Sequence, residues 1–420
     1  MAIGLVFIWA ASSPDAGFAA AGRQKVSFLA TLSGTDPTDF RSLSLMFHPP
    51  TAFSHDACRL LRGLARPVLP AATGADLAAL AHGLPEAAWS GLTDRLGGGR
   101  VAGWFLANAD AVAVPLPTTA RKALERHAAA DLRRSLNTQR LLSRLAPALL
   151  AGARPDCLVL KGVGVERRAY PTTIVRHSVD IDLLPRPDAV ARTYAALRDL
   201  GLQQTYLSRS HHVRTMSEPV GGGAVEVHEQ PLCPYRFAPM RSSALVEALF
   251  DRSVEIRGGI AAGTARTLAD VDHTAYLLAH LGEGVFAEQR HLADLCLWLR
   301  VVQPDPAAVH ARLVEWQAVR AGAAALAAVA GFDGLAMTPE LVHTLAELRK
   351  QTGPQQWLGD ALRLAATHAL RLPSGKAPRW LGGLGLAAHL DRPWRWAASW
   401  TPAAGWLRAA ATTSKVQGHG

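Results

Sequence analysis

Two aspartates separated by one residue, Asp180 and Asp182, carry the strongest chemical signal in the sequence. They lie in an apolar stretch that predicts a β-strand over residues 179–184, and alternate side chains of a strand project from the same face. Neighbouring carboxylates repel each other unless a cation lies between them, and Mg²⁺ prefers carboxylate and phosphate oxygens. The pair therefore predicts a metal site. A solvated pair on an edge strand is the alternative explanation of these two residues alone.

A third carboxylate, Glu226, lies in a second predicted strand over residues 224–228. Glu226 and His228 share one face of this strand, opposite two valines that face the core. Three carboxylates that hold two divalent ions can transfer phosphoryl groups, because the metals activate the attacking hydroxyl and neutralise the leaving pyrophosphate. His228 is a candidate for contacting a nucleotide or an acceptor. For Glu226 the alternative is an ion pair with a surface arginine.

A Lys161-Gly162 turn follows an apolar run at residues 157–160. A buried strand that enters a glycine turn and then a helix presents backbone N–H groups, and the lysine adds a positive charge. Both residues are candidates to bind nucleotide phosphates, although a turn that only ends a strand would look the same. Arg176 precedes Asp180 by four residues. Its guanidinium could bind phosphate, or form a salt bridge that holds the acidic strand in place.

The combination of these segments resembles an uncharacterised nucleotidyltransferase family of the DNA-polymerase-β-like superfold. The resemblance extends over about residues 76–300 and rests on three segments in order: Leu158-Val-Leu-Lys161-Gly162, Arg176-x-Ser178-x-Asp180-Ile-Asp182-Leu-Leu184 and Val225-Glu226-Val-His228. The wider superfold usually has Gly-Ser at the turn, where this chain has Lys161-Gly162. Because of this departure, the contacts to the nucleotide phosphates would differ in detail from those of the wider superfold.

The resemblance implies both a set of site residues and a reaction. The catalytic and metal-binding residues would be Asp180, Asp182 and Glu226, with two Mg²⁺ ions, or Mn²⁺ in their place. The nucleotide-binding residues would be Lys161, Gly162, Arg176 and His228. The implied reaction moves an NMP from ATP or another NTP to an acceptor, which could be a small molecule, a peptide or RNA. Members of the family are often encoded beside genes for modified-peptide (including lasso-peptide) or polysaccharide biosynthesis, which implies a tailoring role.

Three other functions stay open. The Lys-Gly turn with Arg-x-Ser-x-Asp-x-Asp also resembles toxin-like nucleotidyltransferases of abortive-infection and toxin-antitoxin systems, some of which modify RNA. A catalytically degenerate domain could serve as a nucleotide-binding or scaffold module, because a fold does not guarantee activity. A glycosyltransferase could use Asp-x-Asp to hold Mn²⁺ and a nucleotide sugar. The Lys-Gly turn and the Glu-x-His strand argue against this third function.

Helical periodicity flanks the candidate site on both sides. The sequence therefore predicts an α+β fold in which a small mixed β-sheet nucleotidyltransferase core, residues 153–265, lies between helical regions at residues 51–152 and 266–350. A poorly structured leader is expected over residues 1–50, and a Trp/Arg-rich C-terminal region over residues 351–420. After the core, apolar spacing predicts helices over residues 270–281, 288–301, 307–329 and 339–349.

Composition limits the class of protein. The chain has 420 residues, 49% hydrophobic and 19% charged, which is typical of a folded protein of about two or three domains. The formal net charge of +10 permits phosphate-rich partners, but the arginines are scattered, which favours a solvated basic surface. Four well-separated cysteines without a Cys-x-x-Cys pair argue against a zinc site and a disulfide framework. They favour free thiols in a reducing compartment, and hence a cytoplasmic protein.

Membrane association is a minor alternative. No apolar run reaches the roughly 18 residues that a spanning helix needs, so no transmembrane segment is predicted. Tryptophans and arginines alternate near the C-terminus and could contact a membrane surface. Pro393 and Pro402 would break a long amphipathic helix there, so packing of this region against the core is the favoured interpretation.

Overall fold

The computed structural model describes residues 74–170, 176, 178–207, 213–220, 222–234, 237–256, 265–283 and 289–330. The predicted leader, the Trp/Arg-rich C-terminal region and the helix predicted over residues 339–349 lie outside these residues. Within them, the fold is a mixed β-sheet flanked by helices on both sides in the sequence, as predicted. None of the described helices has both the length and the hydropathy that crossing a membrane would need.

The described part of the N-terminal helical region, from residue 74, contains four α-helices. They are α1 (Gly74–His82), α2 (Glu86–Gly98), α3 (Ala102–Ala111) and α4 (Thr118–Leu145). Helix α4 continues into a π-helical turn at Ala146–Leu150. Pro147 lies in this turn and has no backbone N–H to donate, so regular α-helical bonding cannot continue through it.

A seven-stranded mixed sheet lies at the centre of the described chain, in the order β3-β4-β5-β2-β1-β7-β6. Its strands are β1 (Cys157–Val159), β2 (Ile181–Pro185), β3 (Gln203–Leu207), β4 (Val213–Ser217), β5 (Ala224–His228), β6 (Val254–Glu255) and β7 (Arg266–Thr267). Strand β2 is antiparallel to β1 and parallel to β5. Every residue of β1 and β2 is buried, because both strands lie in the middle of the sheet with a core on each face.

The two faces of the sheet pack against different helices. Among the described residues, three further α-helices connect strands of the sheet: α5 (Lys161–Ala169), α6 (Val190–Asp199) and α7 (Ser243–Arg252). On one face, Val159 and Ile181 pack with Leu197 of α6 and with the end of α4. On the other face, Leu158 and Leu184 join a larger core made mainly by the flanking helices. The period-two alternation of the strands therefore divides the hydrophobic core in two.

The described part of the chain after the sheet, up to residue 330, contains four α-helices. They are α8 (Asp270–Glu283), α9 (Gln289–Val302), α10 (Pro306–Glu315) and α11 (Val319–Ala330). Helices α8 and α11 pack closely at Gly282, where an added Cβ would lie only 2.3 Å from the carbonyl oxygen of Ala321. A larger residue at Gly282 would therefore push these helices apart.

The single helix predicted over residues 307–329 is wrong, because the chain turns between α10 and α11. Gln317 has a φ of 54°, and the Ala318 N–H donates to the carbonyl oxygen of Leu313 at 2.8 Å. This is the bonding that closes a helix with a left-handed residue. Leu313 and Ala321 are both buried, so apolar spacing continues across the turn and hides it from a periodicity argument.

Candidate active site

Parallel pairing of β2 with β5 places two of the predicted acidic residues side by side. Asp182 and Glu226 are Cα partners in this ladder, and their neighbours Ile181 and Val225 are also partners. The apolar neighbours are fully buried, while the Glu226 side chain is 29% exposed. Burial of the apolar face thus fixes the register and directs both carboxylates to the opposite face.

Helix α5 begins at Lys161, directly after β1. The Leu160 N–H donates to the carbonyl oxygen of Asp182 at 2.9 Å, which ties the start of the helix to the acidic strand. Lys161 Nζ lies 3.1 Å from Asp182 Oδ1 and 3.8 Å from Glu226 Oε2. The predicted Lys-Gly turn is therefore the first turn of a helix, and its ammonium lies between two carboxylates.

His228 lies against the same two carboxylates from β5. Its Nε2 is 3.0 Å from Asp182 Oδ1 and 3.5 Å from Glu226 Oε2, and the residue is 4% exposed. One ligand atom from each of these three residues lies within 4.8 Å of the other two. Asp182 Oδ2 is buried and has no hydrogen-bond partner among the described residues. Oxygen and imidazole donors at this spacing, with a free carboxylate oxygen, fit a divalent cation.

Burial and neighbouring charges shift the pKa values of three ionisable groups at the site, Asp182, Lys161 and Asp180. Burial opposes ionisation of Asp182, but Lys161 and His228 outweigh it and hold the pKa of Asp182 well below its usual range. Burial also opposes the charge on Lys161, yet the carboxylates around it raise the pKa of the ammonium. For Asp180, burial and then the charge of Asp182 raise the pKa. A cation bound beside Asp180 would oppose this rise, because it favours the ionised carboxylate.

Arg176 is held by a buried carboxylate on α9. Its Nε and Nη2 donate to the two oxygens of Asp294 at 2.9 and 2.7 Å, and its Nη1 donates to Ser178 Oγ at 2.6 Å. Tyr170 donates a further hydrogen bond to Asp294 at 2.6 Å. Arg176 therefore makes the salt bridge that the sequence allowed, although its partner lies more than a hundred residues away. A contact between Arg176 and phosphate stays a prediction.

A cavity of about 290 Å³ opens beside the carboxylates. It is lined by six of the seven predicted site residues: Lys161, Gly162, Arg176, Asp180, Asp182 and Glu226. The seventh, His228, contacts the carboxylates but does not line the cavity, so a nucleotide contact by His228 stays a prediction.

The cavity also has polar lining residues that sequence reasoning did not single out as site residues. These are Arg100, His280, Arg290, His291 and Asp294. Arg100 comes from the N-terminal helical region, and the other four come from α8 and α9. A signal was present in the motif Arg290-His-Leu-Ala-Asp294, because charged residues on an otherwise apolar helix need buried partners. Arg100 gave no comparable signal, since it follows a glycine run at a helix end.

Comparison with known protein families finds a match over this part of the chain. The model of a family described as uncharacterised nucleotidyltransferase matches residues 85–332, more than half of the chain. This match contains all the predicted site residues and extends somewhat further towards the C-terminus than the resemblance did. No curated protein matches the chain. The chain belongs to the uncharacterised nucleotidyltransferase family.

Proposed function

We propose that this protein is a metal-dependent nucleotidyltransferase. It would move an NMP from an NTP, such as ATP, to a hydroxyl or phosphate group on an acceptor, with release of pyrophosphate. One observation carries the proposal: the paired carboxylates of Asp182 and Glu226 line the same cavity as the first turn of α5, which begins with Lys161-Gly162. Acidic ligands and a phosphate-binding turn are the two parts that phosphoryl transfer requires.

The metal-binding residues would be Asp180, Asp182 and Glu226, holding two Mg²⁺ ions, with Mn²⁺ as the alternative. The unpartnered Asp182 Oδ2, and donor atoms of Asp182, Glu226 and His228 that lie within 4.8 Å of one another, support the roles of Asp182 and Glu226. Asp180 lies outside this group of donor atoms and lines the same cavity. When bound, Mg²⁺ supplies positive charge that makes the attacking hydroxyl more acidic and neutralises the phosphates. His228 lies close enough to join the ligands or to hold Asp182 by a hydrogen bond.

The phosphates of the nucleotide would lie at the start of α5. The first turn of a helix presents backbone N–H groups that have no partner within the helix, and the helix dipole favours anions there. A Cβ on Gly162 would lie 3.6 Å from its nearest neighbours, Arg176 and Asp182, so the fold itself has room for a methyl group. The glycine is better explained by a ligand that approaches the backbone. Lys161 adds its positive charge on the same side.

In the proposed reaction, the acceptor oxygen forms a bond to the α-phosphorus of the NTP. The bond from that phosphorus to the bridging oxygen breaks, and pyrophosphate leaves with the electron pair. The proton of the acceptor passes to a carboxylate. Glu226 suits this role better than Asp182, because its side chain is 29% exposed and that of Asp182 is 1% exposed.

The acceptor and the cellular setting follow from the resemblance rather than from the site. A peptide or polysaccharide tailoring role is proposed first, and RNA modification second. We expect the protein in the cytoplasm, where NTPs are available. Consistent with a reducing compartment, the three cysteines in the described part of the chain, Cys157, Cys233 and Cys296, are buried and form no disulfide.

Transfer can be tested with NTPs labelled at the α-phosphate. The protein and Mg²⁺ are incubated with each NTP and with cellular RNA, a cell extract or a candidate peptide. Label should appear in one acceptor class, and chelation with EDTA should abolish its appearance. The acceptor that takes up label identifies the substrate class. If the protein binds NTPs but transfers no label to any acceptor, it is a nucleotide-binding or scaffold module instead.

A further inference from the structure

Arg100 is a cationic side chain of the cavity that has no counter-ion among the residues that the structure describes. It lines the cavity together with Lys161, Gly162 and the carboxylates, yet its guanidinium makes no hydrogen bond or ion pair with any described residue. The other cations of the cavity differ in this respect. Lys161 pairs with Asp182 and Arg176 pairs with Asp294. A half-buried guanidinium that lacks an anionic partner is available to an anion that enters the cavity.

The backbone holds Arg100 in a defined position at the end of α2. Its N–H donates to the carbonyl oxygen of Gly97 at 3.1 Å, and the Val101 N–H donates to that of Leu96 at 3.1 Å. These two bonds close the helix around a left-handed residue, and Arg100 has a φ of 56°. Glycine is favoured at this position, and three glycines precede it at residues 97–99, yet an arginine occupies it.

The left-handed conformation alone does not mark a site. Ala113, Gln303 and Gln317 share it, and none of them lines the cavity. What distinguishes Arg100 is the combination of this conformation with a side chain that lines the cavity. The next helix, α3, is also anchored at the cavity, because Trp104 stacks on Tyr170 with ring centroids 5.8 Å apart, and Tyr170 donates to Asp294. Arg100 therefore belongs to a fixed wall of the site.

We propose that Arg100 binds a phosphate group of a substrate, so that the N-terminal helical region completes the active site. A planar guanidinium can donate two parallel hydrogen bonds to phosphate oxygens. The phosphate chain of the NTP and a phosphate group on the acceptor offer the same chemistry to Arg100. The identity of these substrates rests on the proposed function. The binding of phosphate by Arg100 can be tested without any reaction.

The test is calorimetric titration of the full-length protein with inorganic tripolyphosphate at fixed Mg²⁺. Arg100→Gly should weaken binding by about ten- to a hundredfold, because a charged hydrogen-bonding group is lost. Arg100→Lys, which keeps the charge but loses the planar fork, should bind with intermediate affinity. Two control variants should bind like the parent protein: Gln317→Gly makes the same backbone change at another helix end, and Arg192→Gln removes an exposed arginine outside the cavity.

Thermal unfolding separates loss of binding from loss of fold. Glycine relieves the strain of a positive φ, so Arg100→Gly and Gln317→Gly should both unfold at or above the parental midpoint. Weaker binding by Arg100→Gly at an undiminished midpoint then supports the proposal. If Arg100→Gly unfolds below the parental midpoint, the affinity of Arg100→Lys for tripolyphosphate is the deciding measurement. Weaker binding than the parent then supports the proposal, and parental affinity overturns it. Parental affinity in both Arg100 variants, or no binding of millimolar tripolyphosphate by the parent protein, would overturn it.

A competition experiment identifies the source of the phosphate. An NTP analogue that cannot be cleaved between the α- and β-phosphates should displace tripolyphosphate if Arg100 binds the nucleotide. Simultaneous binding of both would assign Arg100 to a phosphate on the acceptor. A parent protein that binds tripolyphosphate through Arg100 but transfers no NMP would leave this inference intact and remove only the proposed function.

Discussion

Asp182 uses its two carboxylate oxygens in different ways. Oδ1 lies near both Lys161 and His228, whereas Oδ2 has no hydrogen-bond partner in the described part of the chain. Leaving a buried carboxylate oxygen without a partner costs about 1–3 kcal/mol or more. This cost is understandable at a site where a cation supplies the missing interaction. At the scale of single residues, the cluster is therefore arranged for a ligand rather than for maximal stability.

Replacing Lys161 should separate metal binding from catalysis. In Lys161→Met, the ammonium no longer lies beside Asp182 and Glu226, so Mn²⁺ should bind at least as tightly as in the parent protein. NMP transfer should nevertheless fall about a hundredfold, because the phosphates lose a charged contact. Electron paramagnetic resonance of Mn²⁺ measures the first effect and label transfer the second. Weaker Mn²⁺ binding by this variant would show that the lysine supports the metal site instead of competing with it.

At the scale of elements, the site depends on a clamp between the acidic segment and α9. Arg176 and Asp294 have side chains that are 3% and 4% exposed, and Tyr170 and Ser178 complete their hydrogen bonds. The pair holds the chain before β2 against α9, at a distance of more than a hundred residues in sequence. Its two buried charges are tolerable only together, since each would be costly alone.

Removing one partner of this clamp should be strongly destabilising. Asp294→Ala leaves the Arg176 charge buried without compensation, so the free energy of unfolding should fall by about 3–5 kcal/mol. Asp110→Ala, which breaks an exposed pair with Arg121, should change it by less than about 1 kcal/mol. Urea unfolding followed by circular dichroism measures both values. Equal, small changes would show that the clamp does not stabilise the fold.

Local features of the site could be predicted from the sequence, and contacts between distant segments could not. The alternation in β2 and β5 indicated that Asp182 and Glu226 project from their strands beside the site, and the Lys-Gly motif indicated where a helix starts beside them. The strand predicted over residues 179–184 begins only at Ile181, so Asp180 lies before β2 and does not share its alternation. By contrast, Arg176 pairs with Asp294, more than a hundred residues away. The sequence contains many other carboxylates with which an arginine could pair, so charge alone does not identify this partner. Strand β3 (Gln203–Leu207) was not predicted, because four of its five residues are exposed on the edge of the sheet and show no buried alternation.

At the scale of the whole molecule, the helical regions do more than surround the sheet. The sheet and α5 supply the carboxylates and the Lys-Gly turn, α8 and α9 supply polar residues on another part of the cavity, and the end of α2 supplies Arg100. The family match over residues 85–332 includes all of these segments. The cavity is therefore built by the sheet together with its flanking helices, and the sheet alone would lack part of its lining.

Pyrophosphate release from an NTP tests the central claim most directly. The matched variants are Asp182→Asn, which removes a charge from the carboxylate cluster, and Asp110→Asn, which removes one from an exposed salt bridge. With the acceptor found by label transfer, the parent protein and Asp110→Asn should release pyrophosphate at similar rates. Asp182→Asn should be slower by about a hundred- to a thousandfold while circular dichroism shows an unchanged fold. Release by Asp182→Asn at the parental rate would contradict the assignment of this site.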